Sequence, residues 1–95
     1  MSELPINEHG VPLYPKGHVG RLLVTMAAID ALDTPTAASV AALTGLSKGN
    51  IDTYVAALNR EFGAHIVKDG PVYSIQAWGD ILKKAGVKKV LISSV

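Results

Sequence analysis

Histidines, serines and carboxylates are all present in the chain, yet their spacing supports no catalytic centre. His9, His18 and His65 lack the H-x-x-x-H spacing that sets two imidazoles on one helical face, and with no cysteine a zinc site has no thiolate to draw on. Only Glu8-His9, with His18 further along, offers a pair. Gly45-Leu46-Ser47-Lys48-Gly49 has the letters of G-x-S-x-G, but it joins two predicted helices where a nucleophile elbow needs a strand before its serine, and it lacks the G-x-x-x-x-G-K-[ST] pattern of a phosphate loop. The chain is therefore read as a non-enzyme that needs no metal or cofactor. A different chemistry is open to Ser47-Lys48-Gly49-Asn50 and Thr53. An asparagine amide can pair bidentately with an adenine edge, a threonine can contact a thymine methyl, and a helix N-terminus favours phosphate.

Whether those side chains share one surface depends on the elements that carry them. Ile51, Val55, Leu58 and Phe62 recur at i, i+4, i+7 and i+11, which predicts a helix of about four turns with one narrow core stripe. Ser47 is its expected N-cap, with the hydroxyl satisfying an amide near Asn50, and Gly63 suits a left-handed C-cap. On a wheel of 100° per residue, Gly49, Thr53, Ala56, Ala57 and Arg60 lie opposite the stripe, with Asn50 and Asp52 flanking and Tyr54 nearer the core edge. Upstream, Val19, Leu22, Leu23, Met26, Ile29 and Leu32 predict a helix from about His18 that Asp33-Thr34-Pro35 ends. Thr36 then caps a short helix through Val40 and Leu43, Gly45 turns the chain, and Leu46 fills the angle. Downstream, residues 65–68 and 72–75 read as two strands around Asp69-Gly70-Pro71. Trp78, Ile81, Leu82 and Ala85 suggest a fourth helix stopping at Gly86, and the β-branched tail after it is compatible with helix or strand.

Pro5, Pro12, Pro15, Gly10 and Gly17 exclude regular helix from residues 1–17, which read as an extended arm. Its Leu4, Ile6, Val11, Leu13 and Tyr14 are apolar enough to require cover, either from this domain or from a second copy. The expected organisation is thus an arm over 1–17, one domain over 18–86 and an apolar tail over 87–95 placed for dimer contact. The start lacks signal-peptide features and no apolar run approaches a membrane span, so a cytoplasmic location without membrane contact is expected.

Net charge is +1, but it is unevenly spread: residues 1–46 carry −2, residues 47–70 are neutral, and residues 71–95 carry +3 through Lys83, Lys84, Lys88 and Lys89 against Asp80. Cations at phosphates supply most sequence-independent affinity for nucleic acid, so the neutral middle predicts weak nonspecific binding by one protomer.

From about Leu43 to Ile75 the order of helix, tight turn, helix and hairpin resembles a winged helix-turn-helix domain. The resemblance is nearest to the amino-terminal domain of biotin-operon repressors, through Gly45-Leu46-Ser47, Leu58-Asn59-Arg60-Glu61-Phe62-Gly63 and Gly70-Pro71-Val72-Tyr73-Ser74-Ile75. It covers about a third of the chain closely, and its motifs are largely turn and packing residues. The fold it implies is mainly α with a two-stranded wing: a three-helix core, the wing and a C-terminal helix. It also implies double-stranded DNA as partner, with the third helix in the major groove, the wing on phosphate or minor groove, and dimers matching two half-sites. The contact residues so implied are Ser47, Lys48, Gly49, Asn50, Thr53, Tyr54 and Arg60 on the helix, with Lys68 and Gly70 on the wing. A sequence-specific transcriptional regulator acting as a homodimer is the expected function. A winged-helix adaptor that binds protein rather than DNA, and a replication or recombination accessory, are the alternatives. The small residues Gly49, Ala56 and Ala57 would equally suit a packed partner helix, and no seat for a small-molecule effector is evident.

Overall fold

A computed structural model describes residues 5–15 and 17–79. Three helices, α1 (Gly20–Ala31), α2 (Ala37–Thr44) and α3 (Lys48–Glu61), precede two antiparallel strands, β1 (His65–Asp69) and β2 (Val72–Ala77). The fourth helix expected through Gly86, the tail over 87–95 and its four lysines lie outside the described residues. Among the described residues, no helix is long and apolar enough to cross a membrane.

The local signals act largely as their chemistry demands. Thr36 caps α2 in a full capping box: its hydroxyl accepts from the Ser39 amide at 3.1 Å, and the Ser39 hydroxyl accepts from the Thr36 amide at 2.8 Å. Gly45 ends α2 at φ +77, a left-handed conformation that a Cβ would strain. The first helix starts at Gly20 rather than His18, because His18 serves as an entry group: its Nδ1 accepts from the Gly20 amide at 2.8 Å. Val19, expected in the core stripe, is therefore exposed just ahead of the helix, while Val24 and Thr25 are buried. Thr25 satisfies its hydroxyl on the Arg21 carbonyl at 2.7 Å, one helical turn back. The Tyr14 ring lies where a Cβ on Gly20 would be, so the arm crosses the helix entrance at the one residue small enough to allow it.

At the centre of the core are Met26, Val40, Ile51, Leu58, Ile66 and Tyr73, drawn from every element. The predicted α3 stripe is the seam: Ile51 and Leu58 are fully buried, Val55 nearly so, and Phe62 packs at the edge. Leu46 and Trp78 are half-buried against the same cluster. In the hairpin, Asp69 pairs with Val72 across Gly70-Pro71, with Gly70 at φ +61, and the register shifts between His65 and Ile66. A positive φ followed by the fixed negative φ of proline matches a type II′ turn, whose twist suits the flanking strands. Pro35-Thr36 adds a one-residue third strand: Thr36 bridges Val72, and Tyr73 donates its amide to the Pro35 carbonyl at 2.8 Å.

Two asparagines tie irregular backbone to helices. Asn59 on α3 mimics a neighbouring strand by bonding both backbone groups of buried Ile66: the side chain donates to the Ile66 carbonyl at 3.0 Å and accepts from its amide at 2.9 Å. Asn7 donates to the Leu43 carbonyl at 2.8 Å and accepts from the His9 and Val11 amides, so the arm's own turn is fastened onto the end of α2. Val11 and Pro12 are buried there, and the described part of the arm covers its own domain.

Leaving Ile66 without its partner exposes the cost of an unmet buried pair. Asn59→Ala is expected to destabilise the fold by about 1–3 kcal/mol, read as a lower denaturation midpoint at unchanged slope; an unchanged midpoint would show that Asn59 is dispensable.

Candidate nucleic-acid interface

Because α3 buries only a narrow stripe, its opposite side must face outward. Ser47, Lys48, Gly49, Asn50, Asp52, Thr53, Ala56 and Arg60 are all exposed, whereas Ala57 is half-buried and turned partly away from the surface expected of it. Asn50 and Thr53, three positions apart on a helix, are neighbours on that surface. The side chains of Ser47, Lys48, Asn50 and Thr53 make no hydrogen bond or ion pair among the described residues, so their donors and acceptors point at solvent.

Ser47 departs from expectation in one respect. It stands at the N-cap, but its hydroxyl makes no capping bond; the Asn50 amide instead donates to the Ser47 carbonyl at 3.0 Å. The helix opens on this tighter i→i+3 bond, which takes the amide the hydroxyl would otherwise hold. The hydroxyl is thereby left at the helix entrance beside Lys48. Gly49 is not required by packing either: a Cβ there would find nothing nearer than the Ser47 Oγ at 3.9 Å.

The remaining candidates are already engaged. Tyr54 is half-buried, and its hydroxyl accepts from Arg21 Nη1 at 3.1 Å, while Arg21 Nε donates to the Tyr14 carbonyl at 3.0 Å. This joins α3, α1 and the arm, and it gives Tyr54 a structural task. Arg60 pairs with its neighbour Glu61 at 3.0 Å, both side chains being well exposed. Lys68 on β1 reaches Asp52 of α3 at 3.4 Å and also lies 5.3 Å from the centre of the Tyr73 ring. Gly70 is exposed at the hairpin tip. Among the described residues Lys48 is thus the one cation outside any pairing, against six acidic side chains.

Asp52, expected only to flank the outward face of α3, proves to be a junction. Its Oδ1 accepts from both the Tyr73 hydroxyl and Lys68 Nζ. The Tyr73 hydroxyl holds the Asp52 carboxyl below the usual carboxylate range against the opposing effect of burial, with a further lowering from Lys68. The Tyr73 phenol is pushed up from its ordinary value of 10.0, first by burial and then by the Asp52 carboxylate that its proton bonds. Sequence reading missed this junction, as it missed the Arg21–Tyr54 and Asn59–Ile66 contacts, because it had no measure of which strand residue meets which helix residue. The alternation of Tyr73 with Val72 and Ser74 was the available signal that its ring points inward. As for the histidines, His9 lies 3.9 Å from Glu8 on the exposed arm, and His18 stacks on Tyr14 with ring centres 4.9 Å apart.

The raised Tyr73 pKa has a definite sign in alkali. The unfolded phenol loses its proton near pH 10 while the folded one keeps it, so the contribution is intact below that pH and stability falls as pH rises from there toward the folded value. Absorbance titration should show one phenol ionising well above pH 10 that is missing from Tyr73→Phe; a titration in which that substitution removes a phenol of ordinary pKa would contradict the Tyr73–Asp52 bond. No protein-family model, curated protein or solved structure matches the chain, so the geometry of its own residues carries the functional reading.

Proposed function

We propose that the chain is a winged helix-turn-helix protein that binds double-stranded DNA sequence-specifically and acts as a small homodimeric transcriptional regulator. The observation that carries this reading is the grouping of Ser47, Lys48, Asn50 and Thr53, exposed and free of partners, on the first turns of a helix whose other side is the core. Such a group offers an adenine-pairing amide, a methyl-bearing hydroxyl and a phosphate-seeking ammonium at the positively polarised end of a helix. The order of α1, α2, turn, α3 and hairpin supports it, and so does the one-residue strand at Thr36, which braces the hairpin from the side of α2.

Two copies are part of the proposal for an electrostatic reason. One free described cation per protomer provides little phosphate grip, and a dimer on two half-sites doubles every contact while adding sequence length to what is read. A second reading, a protein-binding adaptor, is favoured by the internal pairing of Arg60 and Lys68. Salt distinguishes the two: DNA binding weakens steeply as salt rises, with a slope that follows the number of phosphates contacted.

Selection from random duplex DNA, with a solution mass measurement, is the decisive experiment; failure to enrich any motif rejects the regulator reading. Asn50→Ala and Thr53→Ala are each expected to relax preference at one or two base positions, by about 1–3 kcal/mol per lost contact, whereas Lys48→Ala weakens all sequences alike. Gly49→Ala separates folding from binding. It should stabilise the free chain by roughly 0.5–1 kcal/mol and yet weaken the complex, because the added methyl stands on the approach surface. Unimpaired binding by Gly49→Ala would place the duplex elsewhere.

A further inference from the structure

An acidic residue beside a surface proposed to approach DNA invites an explanation of its own. Asp52 precedes Thr53 on α3 and is exposed, so burial does not dictate it. Its carboxylate nevertheless collects one donor from each strand of the hairpin, Lys68 from β1 and Tyr73 from β2. Those two residues are direct cross-strand partners, and the Lys68 ammonium lies over the Tyr73 ring. The three side chains form one cluster spanning the helix and the hairpin. Tyr73 is its fixed point, since its ring is buried in the core at 3% exposure and its hydroxyl cannot follow a moving partner.

We propose that Asp52 is the positioning and specificity-determining residue of this interface, fixing the hairpin against α3 and withholding the charge of Lys68 from nonspecific phosphate contact. The inference rests on the reading of α3 as the base-contacting helix. Its physical basis is the division of labour between phosphates and bases: phosphate contacts raise affinity for every sequence equally, whereas base contacts discriminate. A wing lysine free to swing would grip any duplex. Bound to Asp52 at the surface, it is paired within the chain, and the carboxylate adds local repulsion toward phosphate. Affinity for unrelated DNA is held down, and the ratio of specific to nonspecific binding is left to Asn50 and Thr53.

The test uses the full chain, the duplex it selects from random DNA, and an unrelated duplex of equal length, titrated at several salt concentrations. Asp52→Asn keeps the shape and can still accept the Tyr73 hydroxyl, so the fold is retained. It is expected to raise affinity for the unrelated duplex, steepen the salt dependence by about one phosphate contact, and lower the specificity ratio by about tenfold. Lys68→Ala alone should leave the salt slope of the wild-type chain unchanged, yet abolish the steepening when combined with Asp52→Asn. A loss of stability alone would move neither the slope nor its dependence on Lys68. An Asp52→Asn chain with the wild-type slope and ratio overturns this inference while leaving DNA recognition standing, as does a Lys68→Ala chain whose slope already falls by one contact. A wild-type chain that enriches no sequence overturns both readings together.

Discussion

The burial of one narrow stripe on α3 is the constraint on which the rest of the molecule depends. Ile51, Val55 and Leu58 occupy the centre of a small core, and around them α1, α2 and the hairpin are placed. A helix that buries so little of its circumference must present the remainder to solvent, and its first turns carry serine, lysine, glycine, asparagine and threonine there. The exposed polar face is thus a consequence of the core. Nothing in the hydrophobic packing asks for Asn50 or Thr53, and nothing in it asks for a glycine at position 49.

Polar contacts between distant segments complete what the modest core begins. A domain this small gains limited stabilisation from apolar burial, so correct pairing of its partly buried polar groups matters in proportion. Asn59 holds β1 to α3, Asn7 holds the arm to the end of α2, and Arg21 holds α1 to both the arm and α3. In the described residues no buried side-chain donor or acceptor lacks a partner. Together with the Asp52 junction and the Arg60–Glu61 pair, these ties engage most of the polar and charged groups of α3. On α3 those left over, Lys48, Asn50 and Thr53, lie on its first turns, and on the hairpin the exposed His65 and Asp69 side chains likewise make no hydrogen bond or ion pair among the described residues.

The charge distribution follows the same logic. Arg60 and Lys68 are paired within the protein, and Arg21 is committed to a phenol and a carbonyl, so a count of basic residues overstates the electrostatic reach of the described residues. The proposed recognition therefore rests on hydrogen-bond pattern and shape more than on field. Such an economy also explains why Asp52 can stand beside Thr53 without being out of place: its negative charge is balanced by Lys68 and anchored by Tyr73.

The sequence alone determined the elements and their boundaries wherever the physics is local. The 3.6-residue repeat of Ile51, Val55 and Leu58, the Thr36 cap, the left-handed glycines at 45 and 63 and the Asp-Gly turn all act over a few residues, and each is legible in the order of side chains. The outward face of α3 was legible for the same reason, since a wheel needs only the period. What tertiary structure decided is which members of that face remain available. Tyr54 is taken by a residue 33 positions away and Asp52 by one 21 positions away, and Ser47 loses its capping role to a backbone bond. No periodicity encodes such pairings, because they depend on the distance between elements once the core has closed, and that distance is set by the packing of all of them together.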